Sequence, residues 1–174
     1  MMKHIFQFFL FSLFSFSIYA QSDSENQAPL KVDSTPAYIR LGHLPTFSIR
    51  LPDSSWFSRS QISDDKPTLI IYFSPDCGHC MLETEDMISK MNSLKKLQII
   101  MVTSREFEEM VTFANHYKLD RFSNIKIGRD AQRTITKFYG VKFTPFSALY
   151  NKDGKLLKAY EKGIDWPELI GLIK

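Results

Sequence analysis

Apolar runs alternate along the chain with segments in which apolar residues recur every three or four positions. The runs at 67–73 and 97–102 are apolar at almost every position, which is typical of strands buried on both faces of a sheet. Helical spacing follows each run, over 77–94 and over 107–117. The sequence Thr-Ser-Arg-Glu at 103–106 has the pattern of a capping box and predicts the start of the second helix.

Two hairpins are predicted, one near each end of this region. The first joins 47–51 to 56–57 around a Pro-Asp-Ser turn. The second joins Phe146–Tyr150 to Leu156–Tyr160 through the turn sequence Asn-Lys-Asp-Gly at 151–154, which favours a tight reversal.

Three shorter elements complete the pattern. A strand is predicted at 125–127, and Asp130 can cap a helix that Gly140 ends. Asp165 can cap a last helix that runs to Lys174 with a proline in its first turn. The order βαβαβαββα, with buried central strands, predicts a three-layer α/β fold.

The N-terminal region is predicted to be a targeting segment rather than part of the fold. A short basic start, an apolar stretch and a small residue predict that residues 1–20 are a secretory signal that is removed, so we expect an exported, periplasmic protein. The alternative is an uncleaved inner-membrane anchor formed by residues 5–20. Residues 21–38 are polar and aperiodic and predict a flexible tether, followed by one globular domain over 39–174.

Composition narrows the range of partners. The chain has 174 residues, of which 44% are hydrophobic, and this suffices for one domain with a real core. Its formal net charge is +3, and the sequence contains no basic run longer than two residues. We therefore expect no nucleic-acid partner. We also expect a monomer.

Cys77 and Cys80 are the only cysteines of the chain. In the first turn of a helix, thiols three positions apart lie close enough to form a disulfide. The helix N-terminus favours a thiolate. A bridge that closes so small a loop stabilises a fold little, so the spacing predicts a redox-active dithiol that needs no bound cofactor. The hypothesis is that Cys77 attacks a substrate disulfide and that Cys80 resolves the mixed disulfide.

The two residues between the cysteines are candidates for tuning this reaction. Gly78 leaves room for the backbone of a partner. His79 would place an imidazole beside the thiolate and make the pair more oxidising. Its alternative interpretation is an exposed helix residue without a role.

Thr144 and Pro145 form the second candidate feature. The proline stands just before the strand at Phe146–Tyr150, a position that proline tolerates at a strand start or in a special turn. The residues alone favour an ordinary trans bond, whereas a cis bond would point the Thr144 backbone at the dithiol.

The segment Phe-Ser-Pro-Asp-Cys-Gly-His-Cys at 73–80, with Phe-Thr-Pro-Phe at 143–146 and the turn at 151–154, resembles thioredoxin-fold proteins. More closely, the chain resembles the exported thiol–disulfide oxidoreductases of the TlpA/ResA type over about 41–174. The resemblance implies a three-layer α/β/α sandwich with a central mixed sheet, an N-terminal hairpin and a helix–strand insertion over 103–127.

The same resemblance implies roles for individual residues. Cys77 would be the nucleophile, Cys80 the resolving cysteine, and Pro145 a cis-proline that binds substrate together with Thr144. Its implied partners are cysteine-containing protein substrates and a membrane thiol donor, with the dithiol acting as a reductase.

The chain departs from plain thioredoxins near the dithiol. Asp76 stands where those proteins usually carry tryptophan, and Ile71 stands where they bury an aspartate that accepts protons. Glu83 or Glu85 could replace that aspartate, but both are expected to be surface residues that match the helix dipole.

Two other classes of protein stay open as alternatives. A peroxiredoxin-like thiol peroxidase needs Pro-x-x-x-Thr/Ser-x-x-Cys, in which Ser74 fits and Ile70 does not. A metal-binding or structural module is opposed by the presence of only two thiols, with His43 and His116 remote in sequence.

Overall fold

A mixed β-sheet forms the centre of the computed structural model, which describes residues 34–174. These residues belong to one unit, Ser34–Lys174. The strands are β1 (Ser48–Arg50), β2 (Trp56–Ser58), β3 (Thr68–Tyr72), β4 (Gln98–Thr103), β5 (Ile125–Arg129), β6 (Phe146–Tyr150) and β7 (Leu156–Tyr160). The helices are α1 (Ala37–Leu41), α2 (Gly78–Ser89), α3 (Phe107–His116), α4 (Thr134–Tyr139) and α5 (Trp166–Leu172).

The described strands lie in the order β2-β1-β5-β4-β3-β6-β7. Strands β3, β4 and β5 are parallel to one another. Strand β1 runs antiparallel to β5, β6 runs antiparallel to β3, and β7 runs antiparallel to β6. The mixed sheet and both hairpins are therefore confirmed. The predicted insertion contributes α3 and β5, and β5 lies inside the sheet between β4 and β1.

Alternate residues of β3 face two separate hydrophobic cores, because successive side chains of a strand point to opposite faces. Leu69 and Ile71 belong to the core that α2, α3 and α5 cover. Ile70 and Tyr72 belong to the core under α1 and α4. Every residue of β3 is buried, so its continuous apolar run reflects burial on both faces. The three-layer α/β/α sandwich is confirmed.

Gly128 in β5 is required by the close approach of β1. A Cβ atom at this position would lie 2.9 Å from the Cδ1 atom of Ile49 and 3.0 Å from the backbone oxygen of Arg50. A larger residue would push apart the two strands that join the hairpin to the parallel strands.

Two local expectations are wrong. The predicted tether extended to residue 38, but Tyr38 is buried in the core beside α4, so the fold begins earlier than predicted. The predicted capping box at 103–106 does not form. Thr103 stays in β4 and accepts from the amide of Arg105, while Glu106 takes the N-cap position of α3 without a side-chain capping bond.

The other predicted helix ends are close to those observed. The carboxylate of Asp130 accepts from the amide of Ile135 at 2.7 Å, and Gly140 ends α4 in the left-handed conformation. Asp165 accepts from the amide of Glu168 at 3.0 Å and caps α5.

The predicted signal segment and most of the tether lie outside the described residues. Within residues 34–174, none of the helices has the length and apolar character needed to cross a membrane.

Candidate active site

A tight turn at the end of β3 places Cys77 at the start of α2. The amide of Cys77 donates to the backbone oxygen of Ser74 at 3.1 Å, and the Ser74 hydroxyl donates to the carboxylate of Asp76. That hydrogen bond holds the pKa of Asp76 below its usual value. Arg105 forms a salt bridge of 3.2 Å with Asp76, so the turn is tied to the residues that precede α3.

The two cysteines lie one helical turn apart, as predicted. Cys77 is the N-cap of α2, and the amide of Cys80 donates to the backbone oxygen of Cys77 at 3.0 Å. Both thiols are free. Cys77 is partly exposed, whereas Cys80 is 1% exposed and belongs to the core. Only the first thiol is therefore open to another protein.

The environment of Cys77 favours its thiolate. Burial alone would raise the pKa of Cys77, but hydrogen bonds from the Cys80 thiol, from the side chain of Thr144 and from the amides of His79 and Cys80 outweigh burial and lower it. These donors stabilise negative charge on the Cys77 sulfur, and its place at the N-terminus of α2 favours an anion as well.

The environment of Cys80 favours its neutral thiol. Burial raises the pKa of Cys80 from 9.0 to about 12. Such a difference corresponds to roughly 4 kcal/mol against the thiolate, at 1.36 kcal/mol for each pKa unit. At neutral pH the reduced pair therefore consists of a reactive sulfur at Cys77 and a protonated sulfur at Cys80 that donates to it.

Thr144 and Pro145 lie beside the dithiol. The bond between them is cis, as the family resemblance implied and as the residues alone did not. The backbone oxygen of Thr144 lies 3.5 Å from the Cys77 sulfur. A bound polypeptide that reached Cys77 would therefore pass the backbone of the loop at 142–145.

A groove of about 1030 Å³ opens next to this contact. Its lining includes His79 and Glu83 of α2 on one side and Thr144 and Pro145 of the loop before β6 on the other. Two apolar side chains stand exposed along its length, with Leu82 62% exposed and Phe143 78% exposed. The groove offers apolar surface and backbone within reach of Cys77, as a site for an extended polypeptide requires.

Gly78 and His79 are both exposed between the cysteines. No atom lies within 4 Å of the position that a Cβ atom on Gly78 would take, so the surface here is open to an approaching backbone. The amide of His79 donates to Cys77, and the residue lines the groove. The redox-tuning role of the imidazole stays a prediction.

Glu83 is the residue that the sequence interpretation misjudged. It was expected on the surface, but it is buried at 9% exposure, and burial raises its pKa. Its carboxylate accepts from the amide of Ile164 at 2.8 Å and from the hydroxyl of Ser147 at 3.3 Å. Glu85 is exposed, as expected.

Helical spacing could have found this difference. Glu83 lies three positions after Cys80 and four before Met87, and both of these neighbours are buried in the core. Residues three and four apart share a helix face, so position 83 points inward while position 85 does not. Ile71, which replaces the buried aspartate of plain thioredoxins, is 3% exposed in the same core.

The structure also shows where the residues considered for a peroxidase or a metal site lie. Ile70 is fully buried in the middle of β3, and the hydroxyl of Ser74 donates to Asp76. His43 pairs with Lys155 in an isolated bridge, and the ring of His116 makes an edge contact with that of Tyr117. Within residues 34–174, no cluster of three or more histidine, cysteine or carboxylate side chains could hold a metal ion.

Comparisons with known proteins agree with this geometry. The protein disulfide-isomerase erp38 of Neurospora crassa is 28% identical over 112 residues, which are 64% of this chain and 25% of that protein. The chain thus matches only about a quarter of that relative's length. A Neisseria meningitidis protein described as a thioredoxin has a TM-score of 0.62 at 26% identity, with 74% of this chain and 85% of that chain covered.

A peroxidase is also among the similar structures. The thiol peroxidase from Chromobacterium violaceum has a TM-score of 0.62 at 18% identity, with 75% of this chain and 82% of that chain covered. The model of the AhpC/TSA family matches residues 42–163, which is more than half of the sequence. The chain, with its thioredoxin-like fold, therefore belongs to the AhpC/TSA family.

Proposed function

We propose that this protein is an exported thiol–disulfide oxidoreductase that reduces disulfides of other proteins through Cys77 and Cys80. The family and the fold make it a thioredoxin-like oxidoreductase. The observation that carries the proposal is the separation of the two thiol pKa values at the edge of an open groove. The pKa of Cys77 is lowered and its side chain is partly exposed, whereas the pKa of Cys80 is raised to about 12 and its side chain is buried.

The reaction transfers two electrons from the cysteine pair to the substrate. The Cys77 thiolate attacks one sulfur of the substrate disulfide, so a mixed disulfide forms and the other substrate sulfur leaves as a thiolate. Cys80 then loses its proton and attacks the Cys77 sulfur, which closes the Cys77–Cys80 disulfide and releases the second substrate sulfur. The proton from Cys80 ends on a released substrate thiolate.

The second step needs a route for the Cys80 proton. Glu83 lies one turn after Cys80 on the same face of α2, and its buried carboxyl has a raised pKa. A carboxyl on the same helix face as the resolving thiol can accept its proton and return it. We assign Glu83 the role of a proton acceptor for Cys80, in place of the aspartate that Ile71 replaces.

Export and the partners belong to the same proposal. The basic start and apolar stretch of residues 1–20 support export, with an anchor formed by residues 5–20 as the alternative. A reductase outside the cytoplasm needs a source of electrons, so a membrane thiol donor would return the oxidised pair to the dithiol. The cysteine-bearing substrates are proteins, and the active form is a monomer.

A trapping experiment tests the proposal. The Cys80→Ala variant cannot complete the second step, so incubation with oxidised insulin at alkaline pH should leave insulin bound to Cys77 in a mixed disulfide, which mass spectrometry detects. The Cys77→Ala variant is the matched control and should trap nothing. The absence of an adduct with Cys80→Ala, together with no insulin reduction by the unaltered protein, would overturn the proposal.

A thiol peroxidase is the second candidate, because one similar structure is a thiol peroxidase. Peroxide consumption by the reduced protein, followed in parallel with insulin reduction, separates the two. Our proposal predicts that insulin disulfides are reduced much faster than peroxide at equal concentrations. The reverse order would favour the peroxidase.

A further inference from the structure

A second, smaller pocket lies on the other side of the Thr144 loop from the substrate groove. It has a volume of about 430 Å³ and lies where β3 and β4 end, under the residues that begin α4. Thr144 lines both the pocket and the groove, and its backbone oxygen contacts the Cys77 sulfur at 3.5 Å. We call it the cationic pocket, and its polar lining consists of Tyr72, Ser104, Arg133, Thr136, Lys142 and Thr144.

Among residues 34–174, no acidic side chain pairs with the charges of the cationic pocket. Arg133 and Lys142 line it and are exposed, and none of its lining residues is acidic. The salt bridges found among the described residues involve other cations, such as Arg105 with Asp76 and Arg129 with Glu106. Two cations that face a common space without a carboxylate create a positive potential that attracts an anion.

Hydroxyl groups supply donors at the same place. The hydroxyls of Tyr72 and Ser104 are 2.7 Å apart, and their mutual hydrogen bond uses one of their two protons. The other proton is left for an acceptor in the pocket. The Thr136 hydroxyl is buried and has no hydrogen-bond partner in the described part of the chain. Cations together with hydroxyl donors are the groups that bind a carboxylate.

We infer that the cationic pocket receives the carboxylate of an aspartate or glutamate that flanks the reacting cysteine of the substrate polypeptide. The inference rests on the proposed function, since it names the class of protein disulfide that the site prefers. A substrate held on the Thr144 backbone with its sulfur at Cys77 would place a neighbouring side chain over this pocket. Charges at the rim of an interface act mainly on association rates and on their salt dependence.

The experiment compares three peptides that differ only in the residues flanking one cysteine, each supplied as its disulfide-linked dimer. The flanking residues are glutamate, glutamine or lysine. The second-order rate constant for oxidation of the reduced full-length protein is measured at low and high salt. For each peptide the rates of a variant and of the unaltered protein are compared as a ratio, so intrinsic differences in disulfide reactivity cancel.

The double variant Arg133→Gln/Lys142→Gln should react with the glutamate peptide about two- to fivefold more slowly for each cation removed, as expected for exposed charge pairs. Its rate with the glutamine peptide should fall less than its rate with the glutamate peptide, and high salt should remove the difference between the two peptides. The charge-conserving Arg133→Lys/Lys142→Arg variant should keep the preference. Lys152→Gln, in the turn after β6, removes a cation outside this pocket and should have no effect.

Equal rate ratios for all three peptides would overturn the inference while leaving the proposed function intact. A larger loss with the lysine peptide would overturn it as well. A failure of the unaltered protein to react with any of the peptides would instead refute the proposed function, and the inference with it.

Discussion

The hydrogen bond from the Cys80 thiol to Cys77 gives the sharpest test of the site's electrostatics. Cys80 is buried and stays protonated, and its thiol contributes most among the donors that lower the pKa of Cys77 against the opposing effect of burial. Replacing Cys80 with alanine removes this donor and leaves the rest of the helix N-terminus in place.

The size of the effect follows from the strength of one hydrogen bond to a charged acceptor. Such bonds contribute roughly 1.5–3 kcal/mol, and one pKa unit corresponds to 1.36 kcal/mol. Cys80→Ala should therefore raise the pKa of Cys77 by about 1 to 2. Cys80→Ser keeps an O–H donor at the same position and should change it much less.

The assay is the pH dependence of alkylation of Cys77, which is the only thiol left in either variant. The ultraviolet absorbance of the thiolate gives a second measurement on the same samples. An unchanged or lower Cys77 pKa in Cys80→Ala, or equal values in the alanine and serine variants, would refute the reasoning. In that case the backbone amides and the side chain of Thr144 alone would lower the pKa of Cys77.

Two further predictions concern the stability of the fold. Because the pKa of Glu83 is raised in the folded state, the free energy of unfolding should fall as the pH rises from the unfolded-state pKa of Glu83, about 4.5, through its folded-state pKa. Glu83→Gln should remove this loss and raise the denaturation midpoint at neutral pH, whereas Glu85→Gln should change neither. A Glu83→Gln protein that is less stable at neutral pH would contradict the sign of the effect. Gly128→Ala places a methyl group 2.9 Å from Ile49 and should lower the free energy of unfolding in urea by about 1–3 kcal/mol. Gly171→Ala, with open space around its Cβ position, should not lower it. Equal stability of the two variants would contradict the close contact between the strands.

The sequence predicted the features that depend on local pattern. The continuous apolar run of β3 and the turn residues after β6 specify a buried strand and a hairpin, and the structure has both. The spacing of Cys77 and Cys80 placed both thiols in the first turn of α2. In each case the property is carried by a few adjacent residues.

The features that the sequence did not predict depend on contacts between distant segments. Glu83 is buried because Ser147 and Ile164, 64 and 81 residues further along the chain, supply its hydrogen bonds. Without those partners a glutamate early in a helix favours the surface, which is the interpretation that failed. The cationic pocket likewise joins the ends of β3 and β4 to Arg133 and Lys142, and no local pattern marks it.

The capping box failed for a related reason. Thr103 pairs with Arg129 at the last position of the β4–β5 ladder, so the strand runs through it and the helix begins only after residue 106. Glu106 is drawn toward Arg129 instead, with 2.9 Å between their charged atoms. Sheet pairing therefore decided where α3 begins.

The central claim is that Cys77 and Cys80 pass two electrons to other polypeptides. The most direct measurement mixes the reduced protein with oxidised insulin in limiting amounts and counts the disulfides on both sides. The account predicts that one Cys77–Cys80 disulfide forms for each insulin disulfide that opens, and that Cys77→Ala opens none. Insulin disulfides that stay intact while the protein's own thiols remain reduced would contradict it.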